Sequence, residues 1–400
     1  MDVKRLFAHM STKNKYIVIH FLFSTFYNDG RVKTYYNYLK KEGITTYVIS
    51  IGDKKELEDV FSLDLVEKYQ GNNLFRYIWL FIKFFRFSIK TLKHIMKVNP
   101  GREFILHFHN MPNIIDFISI PFKSRPIRVI IDNHDLLPLL IKEKFNSSIL
   151  YGITKVEQYL SHKIADHIIC ADHNQLEYIT QTGIDANKVT AILNVANPKI
   201  FESQTIPGNS GFNLVYHGTI SKRLGIDLII DALSKAVKVN KKIKFNLIGE
   251  GDYLEEIKNK VNMLNLSDNI IIKDKFVPLE ELPKIISEMD VGIIGNRLTL
   301  LSDYMLPVKL IEYVYMQKPV IAPKNAIISK YFKDDMVCFY EPENVDEMAE
   351  KMLYLCNNRE TRQKYAHNAL EFTKRYNYST EMGKYQRVIN DLLVGQTIIE

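Results

Sequence analysis

Apolar residues along this chain fall in short continuous runs separated by amphipathic stretches, and the rhythm occurs twice. The first half reads as strand at Tyr16–Phe23, helix at Arg31–Lys41, strand at Thr45–Ser50 and a long helix at 74–97. Strands at Phe104–Phe108 and Ile127–Ile131, a helix at Ser147–Ile164 and a strand at His167–Cys170 follow. These strands are apolar throughout rather than alternating, the pattern expected where helices cover both faces of a parallel sheet. Pro198–Gly211 is rich in Pro, Gly, Ser and Asn, has no period, and reads as a linker. The second half restarts with strand Asn213–Tyr216, helix Asp227–Val239, strand Lys244–Ile248 and helix Tyr253–Leu264. It goes on through strand Ile270–Lys273, helix Leu279–Met289 and strand Val291–Ile294 to a helix from Leu306 and a strand at Pro319–Ala322. The pattern predicts an α/β protein of two doubly wound domains, 1–200 and 212–378, with a cleft between them. Ligands in such sheets bind at the carboxyl ends of the strands. The final helix, within 379–400, is expected to return to the first domain.

Composition narrows the class. At 400 residues, 46% hydrophobic and 25% charged, the chain has the make-up of a soluble globular protein of two cores. Cys170, Cys338 and Cys356 are far apart and show no metal-ligand spacing, which suits a reducing compartment. Met1-Asp2-Val3-Lys4-Arg5 leads into no apolar signal core, so a cytoplasmic location is expected. Charge is uneven: residues 1–200 carry a net +8 and residues 201–400 a net −1. The basic half is expected to face an anionic partner. No nucleic-acid recognition motif is present, which favours a lipid surface.

One segment sharpens that choice. Gly71 to Lys97 contains no acid, and Arg76, Lys83, Arg86, Lys90, Lys93 and Lys97 recur at helical spacing on one face. Aromatic and aliphatic residues fill the other faces. Charges interrupt the segment too often for a membrane span. The expectation is a helix lying in the interface of an anionic membrane, with a solvated basic edge on a packed helix as the plainer alternative.

Candidate chemistry gathers in the second half. Leu306-Pro307-Val308-Lys309-Leu310-Ile311-Glu312 is a proline-led turn running into a helix, with Lys309 and Glu312 three apart. Helix-start amides attract phosphate, and an acid one turn in can hydrogen-bond a vicinal diol. Tyr216-His217-Gly218-Thr219-Ile220-Ser221-Lys222-Arg223 is a strand, a glycine turn and a basic pair. Gly218 lets backbone approach a ligand, and Lys222 and Arg223 can neutralise phosphates. Together these describe a pocket for a nucleotide diphosphate.

With Gly249-Glu250-Gly251, Phe276-Val277-Pro278 and Met289-Asp290-Val291-Gly292 in the same order, this half resembles the donor domain of GT-B glycosyltransferases of the family-4-like retaining group. Asn28-Asp29-Gly30-Arg31, His107-Phe108-His109, Asp132-Asn133-His134-Asp135 and Asn194–Pro198 resemble the first-domain motifs of that family. The resemblance implies a GT-B fold and transfer of a sugar from a nucleotide sugar to a glycan or lipid-linked acceptor, with retention. It also implies a place at the inner face of the cell membrane. It assigns the leaving diphosphate to Arg223, Lys222, Gly30 and the helix start at Leu306, Pro307 and Val308, helped by Lys309. Glu312 is assigned the ribose, His134 the sugar or diphosphate, and Gly218, Glu250 and Val277 the lining of the donor site. No Asp-x-Asp triplet stands in a suitable loop, so no metal and no cofactor are expected.

Two departures stand out. The first of the family's two glutamates falls on Tyr304, with Asp303 beside it, and the usual Lys-Gly is Leu224-Gly225. Tyr304 admits a silent nucleotide-sugar-binding protein as an alternative. A sugar-nucleotide 2-epimerase would require further first-domain acids, and no convincing set is seen.

Overall fold

The computed structural model describes residues 15–52, 57–64, 74–109, 112–201, 211–275 and 277–394. Part of the expected linker, the motif residue Phe276 and the Arg76 side chain lie outside the described residues. The chain divides into two compact units, one of residues 1–193 with 382–400 and one of residues 194–381.

In the first unit the elements run β1 (Tyr16–Leu22), α1 (Gly30–Lys41), β2 (Thr46–Ile51), β3 (Val60–Leu63), α2 (Leu74–Val98) and β4 (Glu103–His109). A 3₁₀ segment (Asn113–Phe122), β5 (Ile127–Asn133), α3 (Leu137–Phe145), α4 (Ser148–Ile164), β6 (His167–Cys170), α5 (His173–Gln181) and β7 (Val189–Ala191) complete it. The sheet order is β3-β2-β1-β4-β5-β6-β7, with parallel pairs throughout. Strand order reverses between β1 and β4, the place where doubly wound sheets open a crevice at their carboxyl edge. Period-two alternation divides β1: Ile17, Ile19 and Phe21 join the core with Phe84 and Leu92 of α2. His20 and Leu22 face the other way, and Leu22 packs with Val32 and Tyr36 of α1.

The acid-free helix forms as expected, and Lys83, Arg86, Lys90, Lys93 and Lys97 are all exposed. Among the described side chains its aromatics turn mostly inward, Trp79 excepted. Phe84 is fully buried, and Phe85 and Phe87 pack partly against the core, because a helix covering a sheet must bury one stripe. Ile78, Trp79 and Ile82 remain outside. No helix among the described residues is long and apolar enough to cross a membrane.

The second unit runs β8 (Phe212–His217), α6 (Ile226–Val239), β9 (Ile243–Ile248), α7 (Leu254–Met263), β10 (Ile270–Lys273), α8 (Leu282–Ser287) and β11 (Val291–Ile293). Then come α9 (Val308–Tyr315), β12 (Val320–Pro323), α10 (Ala326–Tyr331), β13 (Cys338–Tyr340), α11 (Val345–Asn357) and α12 (Arg359–Arg375). The sheet is parallel in the order β10-β9-β8-β11-β12-β13, so its reversal lies between β8 and β11. The last helix, α13 (Tyr378–Val394), begins in this unit and continues into the first. There the Tyr385 hydroxyl stands 3.1 Å from His107 Nδ1, and Arg128 Nε donates to Leu392 O at 3.1 Å.

Gly292 of β11 sets how closely α9 can approach. A Cβ there would lie 2.2 Å from the Tyr313 ring, and that ring is fully buried with its hydroxyl donating to Val215 O at 3.2 Å. Gly292→Ala is therefore expected to destabilise the second unit by about 1–3 kcal/mol in thermal unfolding, the usual cost of overpacking. Gly30→Ala, with nothing within 4 Å of the added carbon, is expected to leave stability unchanged or slightly raised.

Candidate active site

At the carboxyl edge of the first sheet the chain buries a carboxylate. Asp132, at the end of β5, is fully enclosed, and strand register sets it level with His109 of β4. Asp29 caps α1 by accepting from Val32 N at 3.0 Å, which starts the helix where Arg31 points inward. Arg31 grips Asp132 with both ends of its fork, Nε to Oδ2 at 2.8 Å and Nη2 to Oδ1 at 2.7 Å. A third donor, Nη1, reaches Ile192 O at 2.8 Å. His109 Nδ1 and His134 Nε2 each lie 3.2 Å from Asp132 Oδ2. Burial disfavours the Asp132 charge, but Arg31, then His134 and His109, overcome it and hold the carboxyl well below its usual range.

The histidines divide by environment. Burial pushes His20, His107 and His109 down, so they stand neutral. With His109 Nδ1–H donating to Asp132, its Nε2 accepts from His20 Nδ1 at 2.8 Å, leaving His20 Nε2 as a buried acceptor. His134 is opposite in sign: burial disfavours its charge, yet the Asp132 carboxylate prevails and raises its pKa. Its side chain is also 19% open, the part of this cluster that solvent reaches. Among the described residues metal-like spacing occurs twice, in His20–His107–His109 and in His109–Asp132–His134. Several of those donors already bond one another or Arg31, so the arrangement is an ion-pair network first.

Of the sequence candidates, Gly30 and His134 are thus brought together through Arg31 and Asp132. Arg31 itself and His20 carried no assigned role. The alternation His107-Phe108-His109 was the available signal that two imidazoles share one strand face.

The second cluster stands at the carboxyl edge of the other sheet, around β8. Gly218 has φ +104°, and a Cβ there would meet Lys309 Cε at 3.7 Å. Lys309 Nζ donates to the Tyr216 hydroxyl at 3.0 Å and sits 4.3 Å above that ring. The 249–251 loop runs alongside, with Ile220 N donating to Glu250 O at 2.8 Å. α9 starts behind extended Pro307 with no side-chain cap, and of its first turn Leu310 N donates to Pro307 O at 3.0 Å. Glu312, one turn in and nearly buried, places Oε2 3.2 Å from His217 Nε2. Leu306 is half-buried beside this helix start, and Val277 half-buried just beyond β10.

Lys222 and Arg223 occupy one 3₁₀ turn (Lys222–Leu224), Lys222 exposed and Arg223 with Nη1 3.5 Å from Met305 Sδ. Arg297, unmarked by any pattern in the sequence, fixes that turn. Its backbone N donates to Arg223 O at 3.0 Å and its Nε to Lys222 O at 3.2 Å. Its Nη2 is anchored on Asp227 Oδ2 at 2.5 Å. Asp303, the acid beside Tyr304, accepts from Ala326 N at 3.2 Å. The cluster presents three cationic side chains and a helix start around one glycine turn, an arrangement suited to an anion.

The first cluster generates a pH prediction. A buried histidine with a lowered pKa stays neutral in the folded chain while the unfolded chain takes a proton below about pH 6.5. Stability is then complete above that value and falls as pH drops toward the folded pKa, by up to about 1.4 kcal/mol per pH unit per histidine. His107→Gln should therefore flatten the decline of unfolding free energy between pH 6.5 and 5 relative to the parent. Trp79, the single tryptophan, follows the first unit by fluorescence.

Residues 197–372 match the family described as Glycosyl transferases group 1. A glycosyltransferase of Methanocaldococcus jannaschii is 24% identical over 90% of this chain and 96% of its own length. The poly(ribitol-phosphate) alpha-N-acetylglucosaminyltransferase of Staphylococcus aureus is 24% identical over 59% of this chain and 46% of its own. In structure, Anabaena HepE solved with UDP and glucose aligns over 94% of this chain and 99% of its own at TM-score 0.71, with 14% identity. That likeness shows the fold, GT-B, and the family match lies on the unit that carries the glycine turn and the basic pair. Residues 197–372 thus match the group 1 glycosyl transferase domain, and the chain has the GT-B fold of the glycosyltransferases it resembles.

Proposed function

We propose that this protein moves a sugar from a nucleotide-diphosphate donor to a glycan or lipid-linked acceptor with retention of anomeric configuration. The observation that carries the reading is the gathering of Gly218, Lys309, the start of α9 and the Lys222–Arg223 turn at one sheet edge. UDP is the first base to test, because the structural relative named above was solved with it.

In this reaction the bond between the anomeric carbon and the diphosphate oxygen breaks. The acceptor hydroxyl forms its bond to that carbon on the face the leaving group departs from, and its proton passes to the departing diphosphate. Negative charge grows on the diphosphate, and fixed cations and backbone dipoles lower that barrier. Arg223 suits this best, since a guanidinium forks onto phosphate and Arg297 holds its backbone in place. Lys222, Lys309, the helix start at Leu306–Val308 and the Gly30 amide complete the set. Glu312 binds the ribose. The same reading gives His134 contact with the transferred sugar or the diphosphate, and no nucleophilic role. These cations stand in for a metal, so the reaction is metal-independent. The acceptor's class places the enzyme against the inner face of the cell membrane, as a peripheral protein.

Thermal shift with UDP, GDP and their sugars should single out the donor, since ligand at 100 times its Kd stabilises by about 2.7 kcal/mol. With that donor, nucleotide release should require an acceptor and continue undiminished in EDTA. Arg223→Ala should lower kcat/KM by roughly 10²–10³-fold, the usual cost of losing one stabilising donor. Glu312→Gln should act chiefly on donor KM. Binding without turnover in the parent and Arg223→Ala alike would identify a silent nucleotide-sugar-binding protein and reject the transfer reading.

A further inference from the structure

Among the described residues of the first unit, the α3–α4 hairpin keeps an apolar ridge exposed. Ile149, Ile153, Val156 and Leu160 of α4 recur at intervals of four, three and four, and all are exposed, Ile149 by 77%. Four such positions form one stripe about 16 Å long at 1.5 Å per residue. Phe145, at the end of α3, is 54% exposed beside it in the chain. An apolar stripe of this length facing outward on a helix whose other side packs against the 3₁₀ segment calls for a partner.

Charge says which partner. α3 and α4 carry four lysines, and Lys142, Lys144, Lys155 and Lys163 are all exposed. Each amine lies over an aromatic ring: Lys142 and Lys155 at 4.9 and 5.6 Å from Tyr151, Lys144 at 5.7 Å from Phe145, Lys163 at 5.3 Å from Tyr159. The two acids of the hairpin turn away. Glu157 accepts from Ile114 N at 3.1 Å, and Glu143 has one oxygen sealed from solvent. The outward side is therefore apolar and aromatic with one sign of charge at its flanks. α2 packs on the same 3₁₀ segment and adds Trp79, with Lys83 Nζ 3.3 Å from its ring centre, and the exposed basic edge already described.

We infer that the α3–α4 hairpin docks this protein onto an anionic lipid surface, with Ile149, Ile153, Val156 and Leu160 entering the headgroup boundary and the lysines on the phosphates. Amphipathic helices with basic flanks bind membranes in this way, and Tyr and Trp rings settle at the same depth. Each lysine near such a surface is worth roughly a five-fold change in partitioning. The basic edge of α2 contributes attraction, and the hairpin supplies the insertion. The inference identifies the surface behind the membrane contact proposed above, and it stands or falls without reference to sugar transfer.

Sedimentation of the full chain, without nucleotide sugar, tests it with two vesicle types, phosphatidylcholine alone and an equimolar mixture with phosphatidylglycerol. The parent should pellet with the mixed vesicles and stay in solution with the neutral ones. Ile149→Glu/Ile153→Glu should lose at least tenfold in partitioning. Lys142→Gln/Lys144→Gln/Lys155→Gln should lose a comparable factor, steeply dependent on salt. Val239→Ser, an exposed apolar position in the second unit, should pellet like the parent. Circular dichroism melts guard against misfolding, and the lysine variants, altered only at exposed ends, keep the test decisive if the Glu pair fails to fold. Hairpin variants that pellet like the parent would overturn the inference, as would a parent that ignores mixed vesicles. It would likewise fall if the hairpin variants turned a dimeric parent monomeric without changing vesicle binding, since the ridge would then be a self-association face.

Discussion

The first unit is organised around a charge that could not be buried alone. Asp132 sits at the end of a central strand with no exposure, and an isolated carboxylate there would cost several kcal/mol or neutralise. Arg31 answers it from α1, His109 from β4 and His134 from the following loop. One side chain thereby fixes the start of a helix, the level of a neighbouring strand and the orientation of the one histidine of the group that solvent reaches. Buried pairs of this kind are poor sources of net stability, but removing one partner is costly. Their value here is positional: the edge of the sheet has a single arrangement that satisfies all four groups.

The second unit reaches precision by a different physical route. Its edge carries the nearly buried Glu312 beside His217, and close backbone approach does the positioning there. Gly292 lets α9 settle against β11, so that Lys309 and Glu312 arrive over the end of β8 beside Gly218. Arg297 then holds the basic turn by its backbone carbonyls. In both units the charged cluster sits where strand order reverses, which is where a doubly wound sheet parts its loops.

Much of this was legible in the sequence, and the reasons are specific. Apolar runs bounded by turn residues located most of the long strands, because strands buried on both faces leave a strong signal. Val60–Leu63 and Val189–Ala191 were missed: four and three residues are too few to show a period, and only the neighbouring strand makes them strands. The helix expected at Leu279–Met289 shrinks to Leu282–Ser287, with Pro283 in its first turn. Glu312, Lys309 and Gly218 could be named from motif order, whereas Arg297 could not, since its partners are two carbonyls and an acid about seventy residues before it and Glu343 well after it. The aromatic weight of α2 did not show which rings face the core, because composition carries no direction. The uncovered ridge lies instead on α4, whose stripe the sequence shows but whose exposure only packing reveals.

The central claim is that the second unit holds a nucleotide diphosphate around Gly218 and the start of α9. Amide hydrogen exchange of the full chain, with and without saturating UDP or whichever nucleoside diphosphate binds, tests this most directly. The account predicts slowed exchange in 216–225 and 305–315 beyond that of the rest of the second unit. Saturated protein in which those two segments exchange as fast as in the free chain, with protection elsewhere, would contradict it.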